Sequence, residues 1–168
     1  HPGFGGSWRS IATIGALRAL PMMLSARNLS GERAWRAGLV DELVPARHAL
    51  RAARRLLRDR PPPAHATRWQ RLASHAVARY LAAPFLHRQV SAKAPAAHYP
   101  APHALVDLWR RHGGERREMI SGEARSVARL VTGQTARNLT TLFLRQDTLR
   151  DAAGDAPRDF HRVHVIGA

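Results

Sequence analysis

Three glutamates that could act as a general acid and a general base lie close together in the sequence, at Glu115, Glu118 and Glu123. Paired carboxylates can exchange a proton through a shared water. Arginines lie directly beside them, at Arg116, Arg117 and Arg125. Opposite charges at helical spacing balance one another on a solvated helix. The pattern therefore favours charge balance on a helix over a catalytic pair.

Histidines and a serine offer the other candidate chemistry. His161 and His164 lie three positions apart in a strand-like stretch, where side chains three apart point to opposite faces and do not converge on a metal. His98 and His103 flank a proline-rich turn with no carboxylate close in sequence, which favours a surface role. Ser7 has no His or Asp partner at a known catalytic spacing, so a nucleophilic role is not favoured.

A glycine-rich turn opens the chain and could present backbone amides to a ligand. Gly3, Gly5 and Gly6 stand in the sequence PGFGGS, and glycine permits backbone angles and close approaches that a Cβ resists. Ser7 is then placed to cap a helix. That helix carries Trp8, Ile11 and Ile14 on one side.

The segments that follow the turn predict further short elements. Residues 15–24 have a helical pattern, and Pro21 is expected to kink or restart that helix. Ser30 is a candidate N-cap for a short helix that ends at Gly38. Residues 39–44 suggest a short strand or an extended turn, and residues 46–58 a helix with Leu50, Ala53 and Leu57 on one face.

Beyond the proline run at 61–63 the pattern is helical with breaks. Residues 68–89 predict a helix interrupted at Pro84, and a break follows at 94–102. Leu105, Leu108 and Trp109 share a helical face before Gly113. The next predicted helical face, ended by Gly133, consists of Ile120, Ala124, Val127 and Val131. Another helix carries Leu139, Leu142, Phe143 and Leu149, and residues 160–168 look like a buried strand running into Gly167.

Composition restricts the function classes. The 168 residues contain 27 Lys and Arg against 12 Asp and Glu, a net charge of +15, and no cysteine. Disulfides and thiolate metal sites are thereby excluded, and no apolar run is long enough to predict a membrane span. The arginines are spread over every segment with few aromatic residues among them, which favours a solvated basic surface over nucleic-acid binding. We expect a cytoplasmic protein.

Four motifs in order resemble a known family. The chain reads PGFGGS, then RAWRAGLVDELV, then HYPAP within a helical region, and finally VHVIGA. This succession is similar to the alpha subunits of bacterial fatty-acid oxidation complexes. In that family a crotonase (enoyl-CoA hydratase) domain is joined through helices to a 3-hydroxyacyl-CoA dehydrogenase. Since the match begins inside a motif and His1 is not an initiator Met, we expect an internal fragment.

The resemblance implies a fold and a division of the chain. We expect a mostly α chain as truncated. Residues 1–60 would form the C-terminal part of an α/β crotonase fold, and residues 61–153 a helical spacer. Residues 154–168 would form a linker and the first strand of a truncated Rossmann domain that binds NAD.

The resemblance also implies site residues, a substrate and a partner. Hydration in this family resembles acid/base catalysis by two glutamates that hold one water, and both glutamates lie upstream of the residues matched here. Gly3 corresponds to the glycine whose backbone amide faces that water, and Gly167 to the first glycine of the NAD loop. An acyl-CoA thioester would be the substrate, NAD the cofactor, and a thiolase beta subunit the partner.

Two hypotheses follow. The first is a fragment of a multifunctional β-oxidation enzyme that hydrates 2-enoyl-CoA and then oxidises 3-hydroxyacyl-CoA with NAD, the fragment itself being inactive. The second is a basic helical module that binds nucleic acid or a protein through its arginines. We expect no nucleic-acid partner under the first hypothesis, and a tight, salt-dependent complex with DNA or RNA would favour the second.

Overall fold

The computed structural model describes residues 1–62 and 75–153. These residues form eight α-helices and a 3-10 helix, and no strand occurs among them. In chain order the elements are α1 (Gly6–Ile14), α2 (Ala16–Ser25), α3 (Gly31–Ala37), the 3-10 helix η1 (Ala46–His48), α4 (Ala49–Asp59), α5 (Ala76–Lys93), α6 (Pro100–His112), α7 (Arg116–Thr132) and α8 (Gln134–Ala153). The described part of the chain is mostly α, which confirms that prediction. The predicted strand at 160–168 and the predicted helical residues 68–74 lie outside the described residues.

Local side-chain chemistry sets several helix ends where the sequence predicts them. Ser30 Oγ accepts a hydrogen bond from the Arg33 N–H at 3.3 Å and begins α3, which ends at Gly38. Pro100 occupies the first turn of α6, where a missing N–H costs the helix little. Gly113 and Gly133 end α6 and α7.

One buried core joins the first two helices to α6 and α7. Burying a side chain the size of Leu or Ile contributes about 1.5–3 kcal/mol. The core therefore holds α1, α2, α6 and α7 in one packed unit, across the boundary predicted at residue 60. Its members are Ile11, Ile14, Ala16, Ala19, Leu20, Leu105, Leu108, Trp109 and Met119.

Two prolines lie inside helices that continue through them. Pro21 is within α2 and Pro84 within α5, so the predicted interruption at Pro84 is wrong, and α2 does not restart at Pro21. Each proline removes the N–H that would bond to the carbonyl four residues earlier. Those earlier residues, Leu17 and Tyr80, are exposed, so water can bond to the carbonyls instead.

The buried face of α7 differs from the predicted one. Met119, Gly122, Glu123 and Ser126 are buried, whereas Ala124 and Val131 are exposed. Gly122 explains why this face of α7 is the buried one, because a Cβ added at Gly122 would lie 2.9 Å from Leu108 Cδ1. A residue without a side chain lets α6 and α7 approach closely, and this contact orients α7.

Residues 39–41 form a bend and residues 42–44 have no regular secondary structure, so no strand pairing occurs there. The helix predicted over 46–58 is present as η1 and α4. Its apolar face remains open, since Leu50 is 65% exposed and Leu57 74%. The apolar side chains of α8 are also more than half exposed: Leu139, Leu142, Phe143 and Leu149.

Candidate functional site

The N-terminal glycine turn reverses the chain within a few residues. Phe4 and Gly5 have φ of 56° and 76°, in the left-handed region that glycine adopts easily and other residues resist. The Gly6 N–H donates to the Gly3 carbonyl at 2.9 Å, and α1 begins at Gly6. The turn leaves Phe4 almost fully exposed and aims backbone N–H groups of the first turn of α1 toward α7.

A buried carboxylate of α7 binds that turn. Glu123 is 1% exposed. Its Oε1 accepts a hydrogen bond from the Gly5 N–H at 2.5 Å, and its Oε2 accepts one from the Ser7 N–H at 2.8 Å. A negative charge at a helix N-terminus meets unpaired N–H groups and the positive end of the helix dipole. Glu123 therefore fixes the glycine turn onto α7.

This geometry corrects two predictions. Ser7 does not cap α1, because Gly5 precedes the helix and Ser7 lies buried in its first turn, where its Oγ has no hydrogen-bond partner. Glu123 does not balance arginine charge on a solvated surface. Among the described residues, no ion pair joins Glu115, Glu118 or Glu123 to an arginine.

The other two glutamates, Glu115 and Glu118, have different partners. Glu115 is the N-cap of α7, and its carboxylate accepts hydrogen bonds from the N–H groups of Arg117 at 3.0 Å and Glu118 at 2.7 Å. These bonds lower the pKa of Glu115, the Glu118 N–H having the larger effect. Glu118 Oε2 lies 4.0 Å from His112 Nδ1 at the surface. The three carboxylates thus have separate partners and form no catalytic pair.

Gly3 is the first residue of the turn, since its carbonyl accepts the Gly6 N–H, and it is half-buried. A Cβ added to Gly3 would lie 3.8 Å from Val127 Cγ2, an ordinary contact, so packing alone does not require glycine here. The interpretation of Gly3 as a site residue remains a prediction. His1 lies beside it, with its Nε2 2.8 Å from Ser126 Oγ, one helical turn beyond Glu123.

Sequence reasoning missed Glu123 as the partner of the glycine turn. A signal was present in the spacing of Met119, Gly122 and Ser126, which places small and apolar residues at helical intervals around Glu123. A carboxylate in the middle of such a face must find buried donors. Its donors lie more than a hundred residues earlier, and no local pattern connects the two.

Arginines form a second charged site along α4. Arg47, Arg51, Arg54, Arg55 and Arg58 line a shallow cleft. The cleft also contains Glu42, which pairs with Arg55. The hydrogen bond and charge of this carboxylate raise the pKa of Arg55. The cleft remains strongly positive.

The remaining predicted site residues are separated or lie outside the described residues. Gly167, His161 and His164 are outside them. His98 is exposed, and His103 bonds to other groups on α5 and the following loop. Within residues 1–62 and 75–153, no three His, Cys, Asp or Glu side chains are grouped to hold a metal ion. None of the described helices combines the length and apolar character needed to cross a bilayer.

No model of a protein family matches this chain, and no solved structure matches it.

Proposed function

We propose that this chain is part of a multifunctional enzyme of fatty-acid β-oxidation. The whole enzyme adds water to the double bond of 2-enoyl-CoA and then oxidises the resulting 3-hydroxyacyl-CoA, whose hydride passes to NAD. The observation that carries the proposal is the ordered set PGFGGS, GLVDELV, HYPAP and VHVIGA. A polyanion-binding module has no physical need for these motifs in this order.

The glycine turn is the part of the hydration site that this chain contributes in the proposal. Glu123 binds the amides of Gly5 and Ser7 and so fixes the backbone on the helical side of Gly3. Fixed backbone donors stabilise a bound water or a developing charge without reorganising during the reaction. The Gly3 amide, at the start of the anchored turn, faces the catalytic water in this assignment.

In the proposal, other parts of the enzyme supply the acid/base groups for hydration and the rest of the NAD site. The two catalytic glutamates belong to the part of the enzyme that precedes the turn, and the NAD loop continues beyond Gly167. The 168 residues alone are therefore expected to leave crotonyl-CoA unhydrated. The whole enzyme is cytoplasmic in the proposal and pairs with a thiolase beta subunit that takes the next product.

The reading frame around this chain provides the first test. It should encode two glutamates upstream of the glycine turn and complete a GxGxxG loop after Gly167. The full product should remove the absorbance of an enoyl thioester, and it should form NADH from 3-hydroxyacyl-CoA. A frame without those glutamates, or a full product that hydrates no enoyl-CoA, would overturn the proposal.

Gly3→Ala in the full product tests the assignment of the turn. A Cβ beside the catalytic water should lower hydration by about tenfold or more, since positioned proton transfer contributes about 10²–10⁴-fold. Oxidation of 3-hydroxyacyl-CoA by the same protein should be unchanged. Gly114→Ala, at an exposed glycine between α6 and α7, is the matched control. Equal hydration by both variants would remove Gly3 from the site.

The arginine cleft supports a second candidate function, the binding of a polyanion. Its cations lie on one side of α4, and a protein that neutralises several phosphates binds less tightly as salt rises. Binding of DNA or RNA should then weaken steeply with salt, and replacing Arg51 and Arg54 should flatten the dependence. Salt-independent or undetectable binding would exclude this candidate.

A further inference from the structure

Two histidines face each other across the contact between α5 and α6. His87 lies on α5 and His103 on α6, and their ring planes are inclined by 17° with centroids 5.6 Å apart. The Nδ1 atoms of the two rings are only 3.4 Å apart. Because this distance is much shorter than the centroid separation, the two Nδ1 atoms lie on the ring edges that face each other.

The other nitrogen of each ring is already bound to an oxygen. His87 Nε2 lies 3.2 Å from Asp107 Oδ1, and His103 Nε2 lies 2.8 Å from the Ala94 carbonyl oxygen. An ionised carboxylate and a carbonyl only accept hydrogen bonds, so each Nε2 carries the hydrogen. In neutral imidazoles both Nδ1 atoms then present lone pairs to each other. This arrangement is unfavourable unless a positive species lies between them.

The arrangement has the features of a metal-binding histidine pair. Histidines that bind metals usually donate their second ring nitrogen to a carboxylate or a backbone carbonyl, which fixes the tautomer. Two nitrogens bound to one tetrahedral zinc ion at about 2.0–2.1 Å are separated by roughly 3.3–3.4 Å. The observed Nδ1 separation agrees with this value.

The surroundings allow an ion to enter. The His87 side chain is 30% exposed and that of Asp107 39%, so the pair is open to solvent. Arg110 Nη2 lies 3.5 Å from Asp107 Oδ1. Its positive charge opposes the binding of a cation, and the Asp107 carboxylate partly offsets that charge. No third protein ligand is present in the described part of the chain. Water would complete the coordination, and the affinity would be modest.

We propose that His87 and His103 form a two-histidine site for a divalent transition-metal ion, represented by Zn²⁺, that links α5 to α6. The Nδ1 atoms are the ligands, and Asp107 and the Ala94 carbonyl orient the rings. In sequence the site is hidden, because His103 has its partner 16 residues earlier on the preceding helix. The neighbouring His98 is exposed.

Titration calorimetry of the purified 168-residue chain with Zn²⁺, after removal of metals by a chelator, tests the proposal. One ion per chain should bind, and binding should raise the melting temperature, because a ligand specific for the folded state stabilises it. Asp107→Ala should weaken binding by about tenfold or more, the usual cost of losing an outer-shell partner. His87→Ala and His103→Ala should weaken it further.

His98→Ala and His1→Ala are the matched controls and should bind Zn²⁺ like the original chain. Circular dichroism in the presence of a chelator establishes that each variant is folded. Cu²⁺ bound to the original chain should show two imidazole nitrogens in its electron paramagnetic resonance spectrum. Unchanged Zn²⁺ affinity in a folded variant lacking both His87 and His103 would overturn the proposal. The proposal would also be overturned if the unmodified chain bound no Zn²⁺, since only a proton would then lie between the two rings.

Discussion

Two carboxylates of α7 each bind two backbone N–H groups at a helix N-terminus, in opposite surroundings. Glu115 binds the first turn of its own helix and lies at the surface. Glu123 binds the first turn of α1, more than a hundred residues earlier, and is buried. Water can replace Glu115 when it is removed. Nothing comparable can replace Glu123, because its donors are covered by the packed helices.

The comparison shows how the same local chemistry supports different levels of structure. Glu115 begins a helix, whereas Glu123 joins the N-terminal turn to α7. The cost of losing either contact depends on whether its donors regain water. The buried region should therefore respond strongly to single substitutions and the exposed region weakly.

Glu123→Ala is expected to have the largest effect on stability and tests this difference between buried and exposed carboxylates. It leaves the buried N–H groups of Gly5 and Ser7 without acceptors, at about 1–3 kcal/mol each. We expect the free energy of unfolding to fall by about 2–6 kcal/mol in urea denaturation. Glu118→Ala, at an exposed position of the same helix, is the control and should change it by less than about 0.5 kcal/mol. Equal losses in the two variants would show that burial does not govern the contact.

A pair of glycines tests the turn that Glu123 binds. Gly5 has φ of 76°, and a non-glycine residue there is strained by about 1–2 kcal/mol. Gly3 has no such strain, and an added Cβ meets only Val127 at 3.8 Å. Thermal and urea unfolding should show a loss of about 1–2 kcal/mol for Gly5→Ala and little change for Gly3→Ala. A larger loss for Gly3→Ala would mean that the fold itself requires this glycine, and would weaken its assignment to the hydration site.

The sequence predicts well those features that neighbouring residues determine. Ser30 and Gly38 bound α3, and Gly113 ends α6, because caps act within one turn. The apolar face of Leu105 and Trp109 also follows from helical spacing alone. These features require no knowledge of what packs against the helix.

Features that depend on distant partners could not be predicted in the same way. The buried side of α7 is set by Gly122 against Leu108, and the role of Glu123 by donors near the start of the chain. The continuation of α5 through Pro84 depends on the surroundings of Tyr80, an exposed residue whose carbonyl Pro84 leaves without its helical partner. For the candidate site, the resemblance indicates Gly3, but only the three-dimensional arrangement identifies the carboxylate that holds its turn.

The smallest expected effect concerns Glu115 and its pH dependence. Hydrogen bonds from the Glu118 and Arg117 N–H groups lower its pKa below the ordinary value of 4.5. A lowered pKa in the folded state contributes stability that is fully present above the unfolded value and is lost as pH falls through the folded value. Glu115→Gln should therefore be less stable than the original chain at pH 7, and the gap should narrow below about pH 4.5.

Urea midpoints of both chains, compared at several pH values from 7 to about 3 while both remain folded, measure this gap. Acid protonates other carboxylates equally in the two chains, so their difference isolates position 115. A gap that stays constant or widens on acidification would mean that the Glu115 carboxylate does not cap α7 as a charged group. A gap at pH 7 as large as that of Glu123→Ala would remove the contrast between an exposed local cap and a buried long-range one, because water would then have failed to replace the surface carboxylate.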